Sequence, residues 1–330
     1  MAPPPPVRLI AAPFTPMCAD GALNLSVVPA QAAHLAGSGV AGVFVGGTTG
    51  EWPSLTVDER TRLAVSWLRA RDDLRDSSRA GVRDDDGTRD DLRDGLEVIV
   101  HVGHDNVREA RALAAHAEST GANAIAALPP HFFRPRTVAE LVELCGRIAG
   151  AAPTLPFLYY HIPSMSGVDL PITQFVRAAR EHIPTFAGVK FTDYRLADFD
   201  RCLQESVRLC FGRDEILLAA LALGATEAVG STYNFAAPLF HRLARAHADG
   251  DLVTARRLQS LVRQAVDVCE TFGGLPALKT AASMLGPELG PCRAPLRPVD
   301  RDALRAELDR LGLLEACGTG GGAEPRNVRP

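Results

Sequence analysis

Only two lysines, Lys190 and Lys279, stand against 33 arginines in this 330-residue chain. Where arginine serves almost every cationic need, a lysine inside an apolar run points to chemistry that arginine cannot do. Arginine stays protonated at any ordinary pH, whereas a desolvated lysine can lose its proton and become a nucleophilic amine. Lys190 sits in such a run, FAGVKFTDY over 186–194. Read as a strand, the run places Gly188, Lys190 and Thr192 on one face and Val189 and Phe191 on the other. A glycine and a small hydroxyl beside the lysine leave room for a substrate. Taken alone, the stretch fits equally well a strand-end lysine whose amine reaches solvent.

Other stretches offer partners for that amine. Tyr160, in YYHIPSMSG (159–167), precedes Lys190 by one strand–helix unit. Adjacent strands lie about 4.8 Å apart, so the two side chains can meet over one end of a sheet. If Tyr160 points inward, Leu158 and Ile162 do too, while Tyr159 and His161 face outward; this parity sets His161 aside as an acid–base group. A buried tyrosine with a merely satisfied hydroxyl is the alternative. GGTTGE (46–51) can turn backbone N–H groups and the Thr48 and Thr49 hydroxyls toward an anion, although a plain tight turn reads the same way. FGRDE (211–215) offers Gly212 with Asp214 and Glu215, which could accept hydrogen bonds from a polyol or simply favour a helix N-terminus. GSTYN (230–234) adds the Ser231 hydroxyl. No phosphate loop of the GxxxxGK[ST] form occurs, and no spacing of His, Asp and Glu argues for a metal.

These groups need a scaffold, and short apolar runs followed by helix-spaced segments supply one. The runs are 7–14, 40–47, 97–103, 123–129, 155–162, 186–192, 208–212 and 227–234. Helical segments follow at 27–37, from Thr56, at 106–120, 137–149, 172–182, 195–205, 214–223 and 236–248. TVDE at 56–59 has the form of a capping box. Strict alternation implies a parallel sheet, and eight units predict a closed (β/α)8 barrel over 1–248 rather than an open doubly wound sheet. Helices at 251–285 and 300–314 predict a C-terminal helical extension over 249–317. Residues 71–95 alternate arginine with aspartate, predicting a solvated, disordered insertion, and the glycine-rich tail 318–330 is expected to be disordered.

Composition is that of an ordinary globular protein, 46% hydrophobic and 22% charged. A net charge of −4 supplies no general attraction to nucleic acid. Seven scattered cysteines without a CxxC pair argue against a disulfide framework and for a reducing, cytoplasmic setting. No apolar run reaches the roughly 18 residues of a membrane span. The first residues, MAPPPPVRLIAAPFTPM, lack a basic region followed by an apolar one, so no secretory leader is expected.

Taken together and in order, GGTTGE, YYHIPSMSG, GVKFTDY and GRDEILLAALALGATEAVGSTYN resemble the N-acetylneuraminate lyase/dihydrodipicolinate synthase family. The resemblance covers roughly residues 7–315 outside the 71–95 insertion. It implies a (β/α)8 barrel, usually a homotetramer, and class I aldolase chemistry without a metal or organic cofactor. It further implies Lys190 as the Schiff-base residue, Tyr160 as the proton-handling hydroxyl, and Thr48 and Thr49 as the carboxylate-binding pair. The synthase branch carries an arginine where this chain has Met165, and a YYNKP-like motif where it has HFFRP (131–135). The lyase branch has the GxDE…GSTYN pattern, which implies that Thr192, Gly212, Asp214, Glu215 and Ser231 bind the polyol tail of sialic acid. Its products would be pyruvate and N-acetylmannosamine. Another pyruvate-dependent lyase, synthase or dehydratase of the family is the alternative.

Overall fold

The computed structural model describes residues 7–80 and 95–317. Eight parallel strands close into a barrel in sequence order: β1 (Arg8–Ala11), β2 (Gly42–Val45), β3 (Glu97–His101), β4 (Ala124–Ala127), β5 (Phe157–His161), β6 (Phe186–Phe191), β7 (Arg208–Phe211) and β8 (Glu227–Gly230). The (β/α)8 barrel expected from the alternation is therefore the fold. Helices α1 (Val28–Gly37), α2 (Val57–Ala80), α3 (Val107–Ser119) and α4 (Val138–Ala149) follow the first four strands. A single turn, α5 (Pro163–Ser166), precedes α6 (Ile172–His182), and α7 (Leu196–Leu203), α8 (Leu217–Leu223) and α9 (Tyr233–Ala248) complete the ring.

Strand parity sorts the apolar residues into two layers. Ile10, Phe44, Ile99, Leu158, Tyr160 and Val229 fill the barrel interior. Val43, Val98, Tyr159, Val189 and Phe211 point outward, against the helices. Because both faces of each strand are buried, the runs are continuously apolar rather than alternating. At the end where the strands begin, charges close the barrel floor: Arg208 donates to Glu97 (2.6 and 2.7 Å) and to Glu227 (2.7 Å).

Local signals account for the helix starts. Thr56 and Glu59 bond each other's backbone N–H reciprocally, at 3.2 and 2.9 Å, as the TVDE pattern predicts. Asn106 and Thr137 cap α3 and α4 by accepting from Arg108 and Glu140 N–H groups.

The expectation of a disordered insertion from residue 71 is corrected over its first ten residues, because α2 runs on to Ala80. Arg71 donates to the Gly121 carbonyl (2.9 Å) and to Asn123 Oδ1 (3.2 Å), and Leu74 packs against the outer apolar layer. Arginine is a good helix former, and Asp72 pairs with Arg75 one turn on (3.7 Å), so low apolar content did not prevent a helix. The rest of that stretch, 81–94, and the tail from 318 lie outside the described residues.

Beyond the barrel come α10 (Leu252–Thr271), α11 (Leu275–Leu285), α12 (Arg301–Arg310) and α13 (Leu313–Cys317). The long α10 packs along α9 and over the start of the β7–α8 segment. Gln259 on α10 donates to the Asp214 carbonyl (3.0 Å) and accepts from the Leu218 N–H (2.8 Å), tying the extension to a loop at the barrel mouth. Among the described residues, no helix is long and apolar enough to cross a membrane.

Candidate active site

Tyr160 on β5 and Lys190 on β6 are direct register partners, so their side chains leave the sheet side by side into the barrel mouth. The Lys190 ammonium nitrogen lies 4.0 Å from the centroids of both the Tyr160 and Phe44 rings. It is buried, 4% exposed, and among the described residues it makes no hydrogen bond or ion pair. The Tyr160 hydroxyl is shared with Thr48 Oγ1 at 3.2 Å. His161 sits on the outer wall of the barrel between Tyr159 and Phe191, as its parity predicts.

The turn after β2 carries Thr48 and Thr49 into this mouth. Gly46 begins it with φ +65°, a backbone region that side chains disfavour. The Gly46 carbonyl lies 2.8 Å from Nδ1 of His101, which therefore donates. Burial, reinforced by the neighbouring Arg60 charge, holds the His101 imidazole well below its ordinary pKa and hence neutral. Arg60, also buried, donates to the His101 and Gly103 carbonyls (2.6 and 2.8 Å).

Across the mouth, β7 and β8 contribute the acids and the remaining hydroxyls. Asp214 Oδ2 accepts from the Thr232 N–H (2.8 Å) and hydroxyl (2.6 Å). Burial raises the Asp214 pKa to about 6, with the adjacent Glu215 charge adding to the effect. Glycine is required on both strands at this point: a Cβ on Gly230 would fall 2.0 Å from Asp214 Oδ1, and one on Gly212 would fall 2.1 Å from Thr192 Oγ1. Glu215 accepts from the Tyr194 hydroxyl (2.5 Å), and burial together with that hydrogen bond pushes the Tyr194 pKa up to about 12. The Thr192 hydroxyl is buried with no hydrogen-bond partner among the described residues.

A cavity of about 440 Å³ opens where the strands end, and all nine candidate residues line it. Lys190, Tyr160, Thr48 and Thr49 line it together with Thr192, Gly212, Asp214, Glu215 and Ser231. This arrangement offers an amine nucleophile, an adjacent phenol to carry a proton, hydroxyls for an anion, and acceptors for several hydroxyl groups. A larger groove of about 750 Å³ runs along Pro130–Arg136 and α4. It contains none of these residues, so the chemistry is assigned to the smaller cavity.

Two contributions to the wall escape the strand-end reading. Arg213 lies between the candidate residues Gly212 and Asp214, its guanidinium 4.2 Å above the Tyr194 ring and 3.2 Å from the Ser164 hydroxyl. Glu270, Gly273 and Gly274 come from the α10–α11 junction, more than a barrel strand away in sequence. The paired glycines in TFGGLP mark a turn there, but nothing in the sequence says that the turn faces the barrel mouth.

The model of the "Dihydrodipicolinate synthetase family" matches residues 5–73 and 87–311. An N-acetylneuraminate lyase of Gallus gallus is 39% identical over 295 residues, covering 87% of this chain and 89% of that protein. The structure of a Proteus mirabilis N-acetylneuraminate lyase superposes with TM-score 0.84 at 35% identity, over 93% of this chain and 99% of that one. A DHDPS from Cyanidioschyzon merolae superposes with TM-score 0.80 at 25% identity, over 93% and 98%. The sequence match spans nearly the whole barrel and its extension, and the chain belongs to the dihydrodipicolinate synthetase family.

Proposed function

We propose that the protein is an N-acetylneuraminate lyase, a class I aldolase that cleaves the sugar acid reversibly to pyruvate and N-acetylmannosamine. The observation that carries this reading is the Lys190 amine: buried, facing the cavity, against the Tyr160 ring, and without a hydrogen bond among the described residues. The similarity to lyases of that name over most of the chain supports the choice of substrate.

In this reading the neutral Lys190 amine adds to the C2 ketone of the open-chain substrate. Loss of water leaves an iminium that draws electrons from C3. Tyr160 relays the C4 hydroxyl proton, passing its own phenol proton to the substrate carboxylate, as the C3–C4 bond breaks, releasing the aldehyde of N-acetylmannosamine and leaving an enamine on Lys190. Return of the proton to C3 and hydrolysis of the iminium free pyruvate and the amine. Thr48 and Thr49 hold the carboxylate, while Thr192, Gly212, Asp214, Glu215 and Ser231 hold the polyol. The reaction calls on no metal or organic cofactor, because the iminium is itself the electron sink. A homotetramer in the cytoplasm, with residues 1–248 as catalytic barrel, completes the proposal.

One observation favours a second reading. The Arg213 guanidinium lines the cavity and could pair with a second carboxylate on a different substrate. It is already engaged, 3.8 Å from Glu215 and 3.2 Å from Ser164, and Met165 at the cavity edge offers no charge. Borohydride reduction in the presence of pyruvate should add a reduced three-carbon acid at Lys190, seen by peptide mass mapping. A substrate panel should then show N-acetylneuraminate cleaved faster than pyruvate condenses with aspartate semialdehyde. The reverse order would move the protein to the synthase reading.

A further inference from the structure

The second lysine takes no part in the chemistry above, yet it is buried more completely than the first. Lys279, on α11, is 1% exposed and donates to Glu51 Oε1 (2.9 Å) and to the Pro291 carbonyl (2.7 Å). Glu51 is buried as deeply, and its other oxygen accepts from the Arg293 backbone N–H (2.8 Å). Both carboxylate oxygens are thus bound by the C-terminal extension, from groups more than 220 residues away along the chain.

Glu51 is the last residue of the GGTTGE turn and adopts a left-handed backbone, φ 58° and ψ 35°. A non-glycine residue holds that conformation where its surroundings impose it. From this position its N–H donates to the Thr48 carbonyl (3.0 Å), closing the turn around Thr49. The Thr15 hydroxyl donates to the Gly50 carbonyl (2.7 Å) on the same turn. A buried ion pair is weak evidence for stability, because apolar residues of similar volume often replace one at no cost. What this pair does visibly is anchor one particular turn.

We propose that Lys279 is a positioning residue: through Glu51 it fixes the 46–51 turn so that Thr48 and Thr49 face the cavity, coupling the C-terminal extension to the carboxylate end of the site. The proposal rests on the reading that Thr48 and Thr49 hold the substrate carboxylate. Arg293 braces the same seam by donating to the Ser54 carbonyl (2.6 Å) and to Glu59 Oε2 (2.7 Å).

The test uses the full chain with Lys279→Met, and with Lys279→Met combined with Glu51→Gln, which removes both charges and guards against misfolding from an unpaired carboxylate. Adduct formation under cyanoborohydride is followed against pyruvate concentration, and against methyl pyruvate, which lacks the carboxylate. The half-saturating pyruvate concentration should rise about tenfold or more, the scale of a lost hydrogen bond to a charged group. The limiting rate should stay within about threefold, and half-saturation by methyl pyruvate should not move. Unchanged pyruvate half-saturation in a folded double variant, or an equal rise for methyl pyruvate, would overturn the proposal. Hydrogen exchange gives a readout that needs no adduct: amides of 46–51 should exchange faster in the double variant, and unchanged exchange there also overturns it. A wild type that forms no adduct would instead remove the aldolase reading, leaving the clamp to be judged by exchange alone.

Discussion

The two lysines of this chain occupy opposite kinds of interior. Lys279 lies in the seam between the barrel and its extension, where a carboxylate and a carbonyl engage its amine. Lys190 lies at the barrel mouth between two aromatic rings, with open cavity beside it and, among the described residues, no acceptor on its amine. Burial is common to both. In the proposed reading, what separates a nucleophile from a strut is whether the protein engages the amine itself or leaves it to the substrate. An amine whose donors are already taken up by a carboxylate and a carbonyl has no lone pair free to turn toward a substrate carbonyl.

The hardest test of this contrast replaces the unbonded lysine. Lys190→Arg keeps the charge but removes the nucleophile, and turnover should fall by more than about a thousandfold, the scale on which single nucleophiles act. Lys279 is then the chain's remaining lysine, so the borohydride adduct should vanish rather than relocate. An adduct mapped to Lys279 by mass spectrometry would erase the distinction between the two sites.

A smaller effect is expected from the group beside the amine. Tyr160→Phe should lower kcat for sugar-acid cleavage by about 10²–10⁴, the usual contribution of a positioned acid–base group. Pyruvate trapping at Lys190 should survive, since the phenol and not the amine has been removed. Equal loss of trapping and cleavage would show that Tyr160 serves the amine instead of the C4 proton.

Asp214, proposed to hold the polyol, predicts a pH signature. The folded Asp214 pKa, about 6, lies above its ordinary value of 3.8, so the folded state holds this proton more tightly than the unfolded chain. The resulting contribution to stability is fully present below about 3.8 and is lost as pH rises through about 6. Asp214→Asn should therefore gain stability relative to wild type as pH is raised from about 4 to 7, measured by thermal melts across that range. In activity, kcat/KM for the sugar acid should show an acid limb with a midpoint near 6 that Asp214→Asn abolishes. A limb that persists in the variant would assign the titration to another group.

The smallest change concerns the other end of the turn that Lys279 anchors. His101→Leu would leave the Gly46 carbonyl without its donor and should cost about 1–3 kcal/mol in denaturant unfolding. His101→Asn retains a side-chain N–H close to the Nδ1 position and should recover most of that loss. If asparagine is no better than leucine, the imidazole matters for its packing against Trp52 and Tyr160 and not for its hydrogen bond.

Much of the site is legible in the sequence. The inward parity of Tyr160 and Lys190, and the outward parity of His161, follow from the two-residue period of a strand, which depends on local backbone geometry alone. The capping box at Thr56 was legible for the same reason, since its hydrogen bonds span three residues. The charged stretch after residue 70 was misjudged because composition counts apolar side chains, while the helix there is held by charge spacing and by Arg71 reaching across to Gly121.

The sequence by itself determined the barrel, through eight apolar runs alternating with helix-spaced segments, and determined which residue of each strand end could turn inward. Tertiary structure alone decided that Gln259 would hold Asp214 from behind, that Glu270 would face the cavity, and that Lys279 would close on Glu51 across 228 positions. Strand and helix periods act over neighbouring residues and leave their mark on every short window of sequence. The pairing of a buried cation with a distant carboxylate is set by where a late helix docks, and no local pattern encodes that docking.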